Sequence, residues 1–465
     1  MNLNPSQYDA AIAEDRKTVI HPFTPLKEFE SGSFPSVMVE NGEGLYIYDK
    51  DGRKILDGFS GLYCVNVGHG RKEIAEAMYK QALKLPFYHS YAGFTNEPLI
   101  ELTTKMLKFM PFQGGHAFYG VSGSDANETQ VKLIWYYNNV LGKQKAKKII
   151  SRKRGYHGCS IFSGSLTGLP FYHTNFDLPV SAVLHTTNPH FYWEAEEGMT
   201  EMEFSAKCAR DLEDMILAEG AENIGAFIGE PVLGTGGIIP PPEGYWLCIQ
   251  EVLKKYDVPL ISDEVICGFG RLGSNTGAEM YGMKPDFVTL AKGLTSAYAP
   301  LSAAVVSPKV WEVLLRGADK FGAFSHGYTY SGHPIGTSAG VANLNIIERE
   351  GIVENARKVG KYFQEQLKKH FDGKPFVAEV RGVGMLGAIE FTKERKVRFD
   401  AALKVGPRMS AACFKRGLIA RGMPHGDILG FAPPLISKES DIDTIIGLAK
   451  EAYEEVSREI SGKKP

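Results

Sequence analysis

One device repeats through the middle of the chain and constrains its fold more than any other feature. A short apolar run stops at a glycine or a polar residue, and a segment long enough for a helix follows. HAFYGVSG, KKIISRKRG, IGAFIGEPV, VPLISDEV and DFVTLAKG each supply a strand of roughly four to seven apolar residues. Runs this continuous suit strands buried on both faces, so residues 72–335 are expected to form a large α/β domain with a mainly parallel sheet flanked by helices. Residues 1–71 open with a short polar helix and then alternate apolar and polar residues through SVMVENGEGLYIYDKDGRKILDG, the pattern of small antiparallel strands. In residues 336–465, GTSAGVANLNIIERE and NARKVGKYFQEQLKKHF read as helices, FVAEVRGVGMLGAIEF as strands, and an amphipathic helix begins near 438. This tail predicts a smaller α/β domain.

Composition excludes several classes of partner. The 52 Lys and Arg nearly balance 54 Asp and Glu, so no chain-wide field favours nucleic acid or an anionic membrane. No apolar run approaches the ~20 residues of a membrane span, and MNLNPSQYDAAIAEDRK has no apolar core of a secretory signal. Six scattered cysteines without a CxxC pair fit a reducing compartment. The expectation is a cytoplasmic protein whose partners are small molecules or copies of itself.

Ligands of open α/β sheets sit beyond the carboxyl ends of the strands, so the polar residues ending the predicted strands are candidates to share one site. Asp263 ends VPLIS, and Lys292 ends DFVTLA 29 residues later. Gly123, Ser124 and Asp125 follow AFYGVS and open a helical segment, while Tyr156 and His157 follow KKIIS. A partly desolvated amine is a nucleophile toward a carbonyl, which makes Lys292 a candidate Schiff-base lysine. An aldehyde on a pyridine ring would need a carboxylate to keep its nitrogen protonated, and Asp263 is suited to that. A phosphate would need amide donors at a helix N-terminus, which SGSDAN supplies, and the ring face could rest on Tyr156.

With these residues in place, the sequence resembles the class III, fold type I, pyridoxal-phosphate aminotransferases, and within them the amine:pyruvate (omega) branch. DGFSGLYCVNVGHG, VSGSDANETQVKLIWYYNN, GYHG, GEPVLGTGG, SDEVICGFGRLG, LAKGLTSAYAPLSA, HGYTYSGHP and GFAPPL occur in that family's order over nearly the whole chain. The resemblance implies that Lys292 forms the internal imine with pyridoxal 5′-phosphate, that Asp263 pairs with the ring nitrogen, and that Val265 packs opposite Tyr156. It implies that Gly123, Ser124 and the partner subunit's Thr329 hold the phosphate, with His157 and Glu230 in the cofactor shell. Arg421 matches the arginine that receives a keto acid's carboxylate. Phe23, Tyr63, Thr235 and, from the other subunit, Tyr91 match positions lining the substrate pocket. The small domain would be built from the N- and C-terminal parts, and the active sites shared in a homodimer.

Two departures narrow the reading. Ornithine and aminobutyrate aminotransferases of this class typically carry glutamine where Ile266 stands and glutamate where Thr235 stands, which argues against dedicated ornithine or aminobutyrate chemistry. The expected reaction is transfer from a primary amine or ω-amino acid to pyruvate, by a ping-pong route. A narrower taurine, β-alanine or polyamine transaminase, or an aminomutase, are the alternatives. No metal is expected, since His326 and His333 have no further ligands at metal spacing. Two GxGxxG matches (Gly268, Gly270, Gly273 and Gly382, Gly384, Gly387) arise easily by chance among 51 glycines in 465 residues, and neither precedes a long helix after a strand.

Overall fold

The computed structural model describes residues 5–462. Its centre is a seven-stranded sheet of β4 (His116–Gly120), β5 (Lys148–Arg152), β6 (Val183–Thr186), β7 (Ile224–Gly229), β8 (Leu260–Asp263), β9 (Phe287–Leu290) and β10 (Ser302–Val306), preceded in the chain by β1 (Val39–Glu43), β2 (Tyr46–Asp49) and β3 (Lys54–Asp57). The spatial order is β4-β10-β9-β8-β7-β5-β6. Only β10 runs against its neighbours, pairing antiparallel with both β4 and β9. The sheet is therefore mainly parallel, as its apolar runs predict. Strands β6 and β10 were not among those runs: VLHT is short and half polar, and β10 lies among the small residues that follow Lys292.

Every residue of β7, β8, β9 and β10 is buried, because both faces carry helices. On one face Phe227 and Leu260 pack with Leu212 and Ile249 of the helices Glu201–Glu219 and Tyr245–Lys255. On the other, Ile228 and Ile261 pack with Ile134 and Val310 of the helices Gly123–Val140 and Pro308–Phe321. Alternate residues of one strand thus feed two cores, as the period of two requires.

Two four-stranded sheets flank this body, using β11 (Val377–Val383), β12 (Leu386–Phe391), β13 (Leu418–Ile419), β14 (Arg421–Gly422) and β15 (Ile428–Phe431). Strands β1 to β3 form an antiparallel meander whose last strand pairs parallel with β13. The second sheet has the order β11-β12-β15-β14. Ala420 alone separates β13 from β14, so Arg421 stands where the chain leaves one sheet for the other. The two GxGxxG stretches have structural explanations. Gly270 and Gly273 adopt φ of 97° and 83° in an irregular turn, and Gly384 turns the β11–β12 hairpin at φ 55°, where a Cβ would lie 2.5 Å from the Leu272 carbonyl carbon.

Arg271 ties these parts together. Its fully buried guanidinium donates to the Pro433 carbonyl at 2.6 Å, to Ser60 Oγ at 3.3 Å and to Asn66 Oδ1 at 2.8 Å. Burial lowers its pKa to about 10. Replacing it with Leu leaves three acceptors without their donor. We expect Arg271→Leu to cost roughly 2–4 kcal/mol of stability, read as a lower denaturation midpoint in urea; an unchanged midpoint would show that the tie carries no load.

Candidate functional site

The carboxyl ends of β4, β5, β7, β8 and β9 open on one side of the sheet. The residues that follow them line a single cleft: Gly123 and Ser124 after β4, Tyr156, His157 and Gly158 after β5, Glu230 after β7, Asp263 with Val265 and Ile266 at β8, and Lys292 after β9. Nine of the residues singled out from the sequence therefore converge on one place.

Asp263 is its electrostatic centre. Only 2% exposed, its carboxylate accepts the Asn127 amide at 2.8 Å and His157 Nδ1 at 2.8 Å on Oδ2, and the Val265 N–H at 3.1 Å on Oδ1. Against a carboxylate acceptor, the histidine must carry its hydrogen on Nδ1. Glu230, also buried, is used differently: its two oxygens accept the backbone N–H groups of Tyr156 at 2.9 Å and Gly234 at 2.8 Å, tying the loop after β5 to the loop after β7. Burial pushes the Glu230 carboxyl up, opposed by the nearby His157.

The Gly123–Val140 helix starts with a reciprocal cap. Ser122 Oγ accepts the Asp125 N–H at 3.2 Å, and the Asp125 carboxylate accepts the Ser122 N–H at 3.1 Å. Asp125 also accepts Ser302 Oγ at 2.8 Å, so it anchors the turn and leaves the cleft to its neighbours. The first-turn amides lack intrahelical acceptors and are suited to an anion. Gly123 lets this turn approach β8, since a Cβ there would lie 3.1 Å from Val265 Cγ2.

Lys292 sits at φ 44°, in the left-handed region, where a residue with a side chain is strained by about 1–3 kcal/mol. The surrounding turn is over-determined: Asn343 Nδ2 donates to the carbonyls of Gly293 at 2.8 Å and Leu294 at 3.0 Å. Lys292 Nζ lies 5.9 Å from the centre of the Tyr63 ring. Tyr63, itself at φ 62°, packs on Phe59 with ring centres 4.4 Å apart, and the Arg421 guanidinium lies 5.6 Å from the Phe59 ring. Burial pushes the Tyr63 phenol up, with the positive charge of Arg421 the strongest opposing influence. Burial likewise pushes the Tyr156 phenol up to about 12.

The remaining sequence candidates fall at the margin or outside. Phe23 is exposed, with its ring 5.1 Å from that of Tyr172, which in turn lies 5.4 Å from Tyr156. Thr235 is buried in a turn whose Gly236 packs against the backbone of Arg154, two residues before Tyr156. Tyr91 lines another, open hollow with Phe94, Gly327 and Ser331, and Thr329 is exposed just beyond Gly327. Neither lines the Lys292 cleft of its own chain. His326 Nδ1 accepts Lys132 Nζ at 2.9 Å and its Nε2 meets Thr129 Oγ1 at 3.0 Å, while His333 Nδ1 accepts the Ile335 N–H at 3.3 Å. The one grouping of metal-type donors among the described residues, His190, Glu379 and Glu390, closes around Arg381, whose Nη1 is 2.7 Å and 2.6 Å from the two carboxylates.

Three comparisons bear on this geometry. Residues 29–452 match the family model for class-III aminotransferases. The chain is 56% identical to the diaminobutyrate–2-oxoglutarate transaminase of Halomonas elongata over 96% of each chain, and 43% identical to the mitochondrial gamma aminobutyrate transaminase 1 of Solanum lycopersicum over 96% of this chain and 86% of that one. Among solved structures, the omega transaminase from Pseudomonas jessenii in complex with PMP superposes with a TM-score of 0.93 at 39% identity, covering 97% of this chain and 99% of that one.

The chain is a class-III aminotransferase.

Such aminotransferases use pyridoxal 5′-phosphate, and the residues of this cleft fit that group. The capped helix start offers amides to a phosphate, Asp263 is a buried carboxylate for a protonated ring nitrogen, and Lys292 is an amine for the aldehyde. The aminotransferase also uses residues that reading the strand ends did not isolate. Asn127 lies one helical turn past Ser124, on the same face, and holds Asp263; its place within SGSDAN was the available signal. Tyr172 joins Phe23 to Tyr156 from a loop with no motif of its own. Gly158 has φ 135°, and a Cβ there would lie 2.6 Å from Ser124 Oγ and 2.3 Å from Ser163 Oγ. Gly158→Ala is therefore expected to displace Ser124 and weaken pyridoxal-phosphate binding at least about tenfold, measured by titrating the apoenzyme; wild-type affinity would contradict the close approach.

Proposed function

We propose that this aminotransferase moves an amino group from a primary amine or ω-amino acid to pyruvate, giving alanine, in two half-reactions with Lys292 as the catalytic amine. One observation carries the choice of substrates. Arg421 is half-buried among aromatic rings, over Phe59 and beside Tyr63, with no hydrogen bond or ion pair to an acid among the described residues. A guanidinium left without an anion in such surroundings suits a substrate carboxylate, held by two parallel hydrogen bonds. Thr235 offers no carboxylate to restrain it. The aromatic walls of Tyr63, Tyr156, Tyr172 and Phe23 suit the carbon skeleton of a donor that lacks a carboxylate at the reacting end.

The bound cofactor supplies an aldehyde for the amine and a pyridine ring that accepts the electron pair left when the substrate Cα loses its proton. Asp263 holds the proton on the ring nitrogen. Lys292 Nζ would take the substrate's Cα proton as base and return a proton as acid. Arg421 would bind the keto acid's carboxylate and so fix the position of its carbonyl in the site. Two substrates that use one site in turn give ping-pong kinetics.

Tyr91 and Thr329 complete the site from a second chain in this reading. Both are exposed, as are Phe87, Tyr88, Phe94 and Tyr330 on the same segments, and an exposed aromatic patch of this kind marks a protein contact. The functional unit is a homodimer with two shared sites, and a fully active monomer at low concentration would refute it.

A second reading takes 2-oxoglutarate as acceptor and diaminobutyrate as donor, in line with the Halomonas relative. The tomato relative, a gamma aminobutyrate transaminase 43% identical to this chain, puts γ-aminobutyrate among the donors to be tried. A donor panel run against both pyruvate and 2-oxoglutarate decides: alanine formation should exceed glutamate formation at least about tenfold, and the reverse would install the second reading. Lys292→Ala should abolish turnover and the visible absorbance of the bound cofactor. Arg421→Ala should raise the pyruvate KM at least about tenfold while that of a carboxylate-free amine changes less than about twofold. Equal effects on both substrates would remove Arg421 from the role given to it.

A further inference from the structure

We infer that Asn127, locked by Thr289, is a positioning residue that couples the two ends of the cofactor site and sets the orientation of the Asp263 carboxylate. The inference rests on the role given to Asp263 above and deepens it. Asn127 belongs to the same helix as the phosphate-facing turn, one turn beyond Ser124. Its amide is 1% exposed and fully used. Nδ2 donates to Asp263 Oδ2 at 2.8 Å and to the His157 carbonyl at 2.7 Å, and Oδ1 accepts Thr289 Oγ1 at 2.8 Å.

The two acceptors on Nδ2, a carboxylate and a backbone carbonyl, decide the sense of the amide. Thr289 is itself fully buried and is the direct cross-strand partner of Asp263 in the β8–β9 pairing. Its hydroxyl donates to the Asn127 oxygen, which faces away from the carboxylate, and holds the amide in place. A flipped amide would set that oxygen against two acceptor-only groups, the Asp263 carboxylate and the His157 carbonyl, although the threonine hydroxyl could turn to accept an N–H. Away from water such mismatches are costly, and the satisfied arrangement is correspondingly rigid.

The geometry has a functional consequence. A carboxylate offers about four acceptor positions. Here Asn127 and His157 fill Oδ2, and the Val265 N–H takes one on Oδ1, leaving Oδ1 with a free position on a residue that lines the cleft. Two donors on Oδ2 fix the rotation of the group about Cβ–Cγ, so Oδ1 is presented in one direction. Because Asn127 also rides on the helix whose N-terminus faces the phosphate, the same turn sets the distance between phosphate contact and ring-nitrogen contact. A buried asparagine with only a structural role would fix the helix to the sheet without this effect on the cofactor's protonation.

The test uses holoenzyme and apoenzyme of Asn127→Leu, Thr289→Val and, as a reference, Asp263→Asn. Measured are the pH at which the visible band of the bound cofactor shifts, the dissociation constant for pyridoxal phosphate, kcat, the donor KM and the melting temperature. Asn127→Leu is expected to move the spectral midpoint in the same direction as Asp263→Asn, to weaken cofactor binding about tenfold or more, and to lower kcat about 10- to 100-fold with the donor KM within about twofold. Thr289→Val, which removes a hydroxyl that touches neither cofactor nor substrate, is expected to give the same changes at smaller amplitude; it decides the matter if Asn127→Leu fails to fold. Lower melting temperatures with spectral midpoint, affinity and kcat all within about twofold of wild type would overturn the inference. Should Asp263→Asn alone move the spectrum, the inference falls and the role of Asp263 stands; should Asp263→Asn also leave it unmoved, that role falls as well.

Discussion

A carboxylate buried at the end of an apolar strand organises this molecule's site. Leu260, Ile261 and Ser262 are fixed between two cores, and Asp263 is carried with them to the rim of the sheet, 2% exposed. A charge in that position is tolerable only when hydrogen-bonded. Its three donors come from the helix after β4, the loop after β5 and the turn after β8. Satisfying one anion therefore draws together three connections that are far apart in sequence.

Part of the backbone strain lies around the same place. Lys292, Tyr63, Ser60 and Arg154 all have positive φ, although none is glycine. Each stands in a loop or short turn near the cleft or its walls, and each is held by packing or hydrogen bonds: Asn343 under Lys292, Phe59 against Tyr63, Arg271 and the Ala432 carbonyl on Ser60, and Gly236 against Arg154. The rigid sheet and its helices supply the over-determination that such conformations need.

Much of this was legible from strand ends alone. The rule that ligands sit beyond the carboxyl ends of parallel strands placed Gly123, Ser124, Asp125, Tyr156, His157, Asp263 and Lys292 together, and the cleft contains all but Asp125, which caps the helix start instead. Residues with polar neighbours in a recognisable motif were readable for the same reason. Tyr172 was not, because nothing local distinguishes a tyrosine in a loop from one that packs; its significance comes from the ring of Tyr156 5.4 Å away. Strand β10 escaped because it opposes the direction of its neighbours and follows small residues instead of a helix.

Local chemistry in the sequence determined the strand rhythm, the capped helix start at Ser122 and the identity of the amine and the carboxylate, because hydrophobic period, capping and side-chain reactivity depend on near neighbours. Only the tertiary structure decided that Ala420 would be the pivot between two sheets, setting Arg421 over Phe59 near Tyr63, and that Thr289 and Asp263 would both bond to Asn127. Those relations join residues up to several hundred positions apart. They are set by which strands pair and in what register, a choice made by the whole buried core at once.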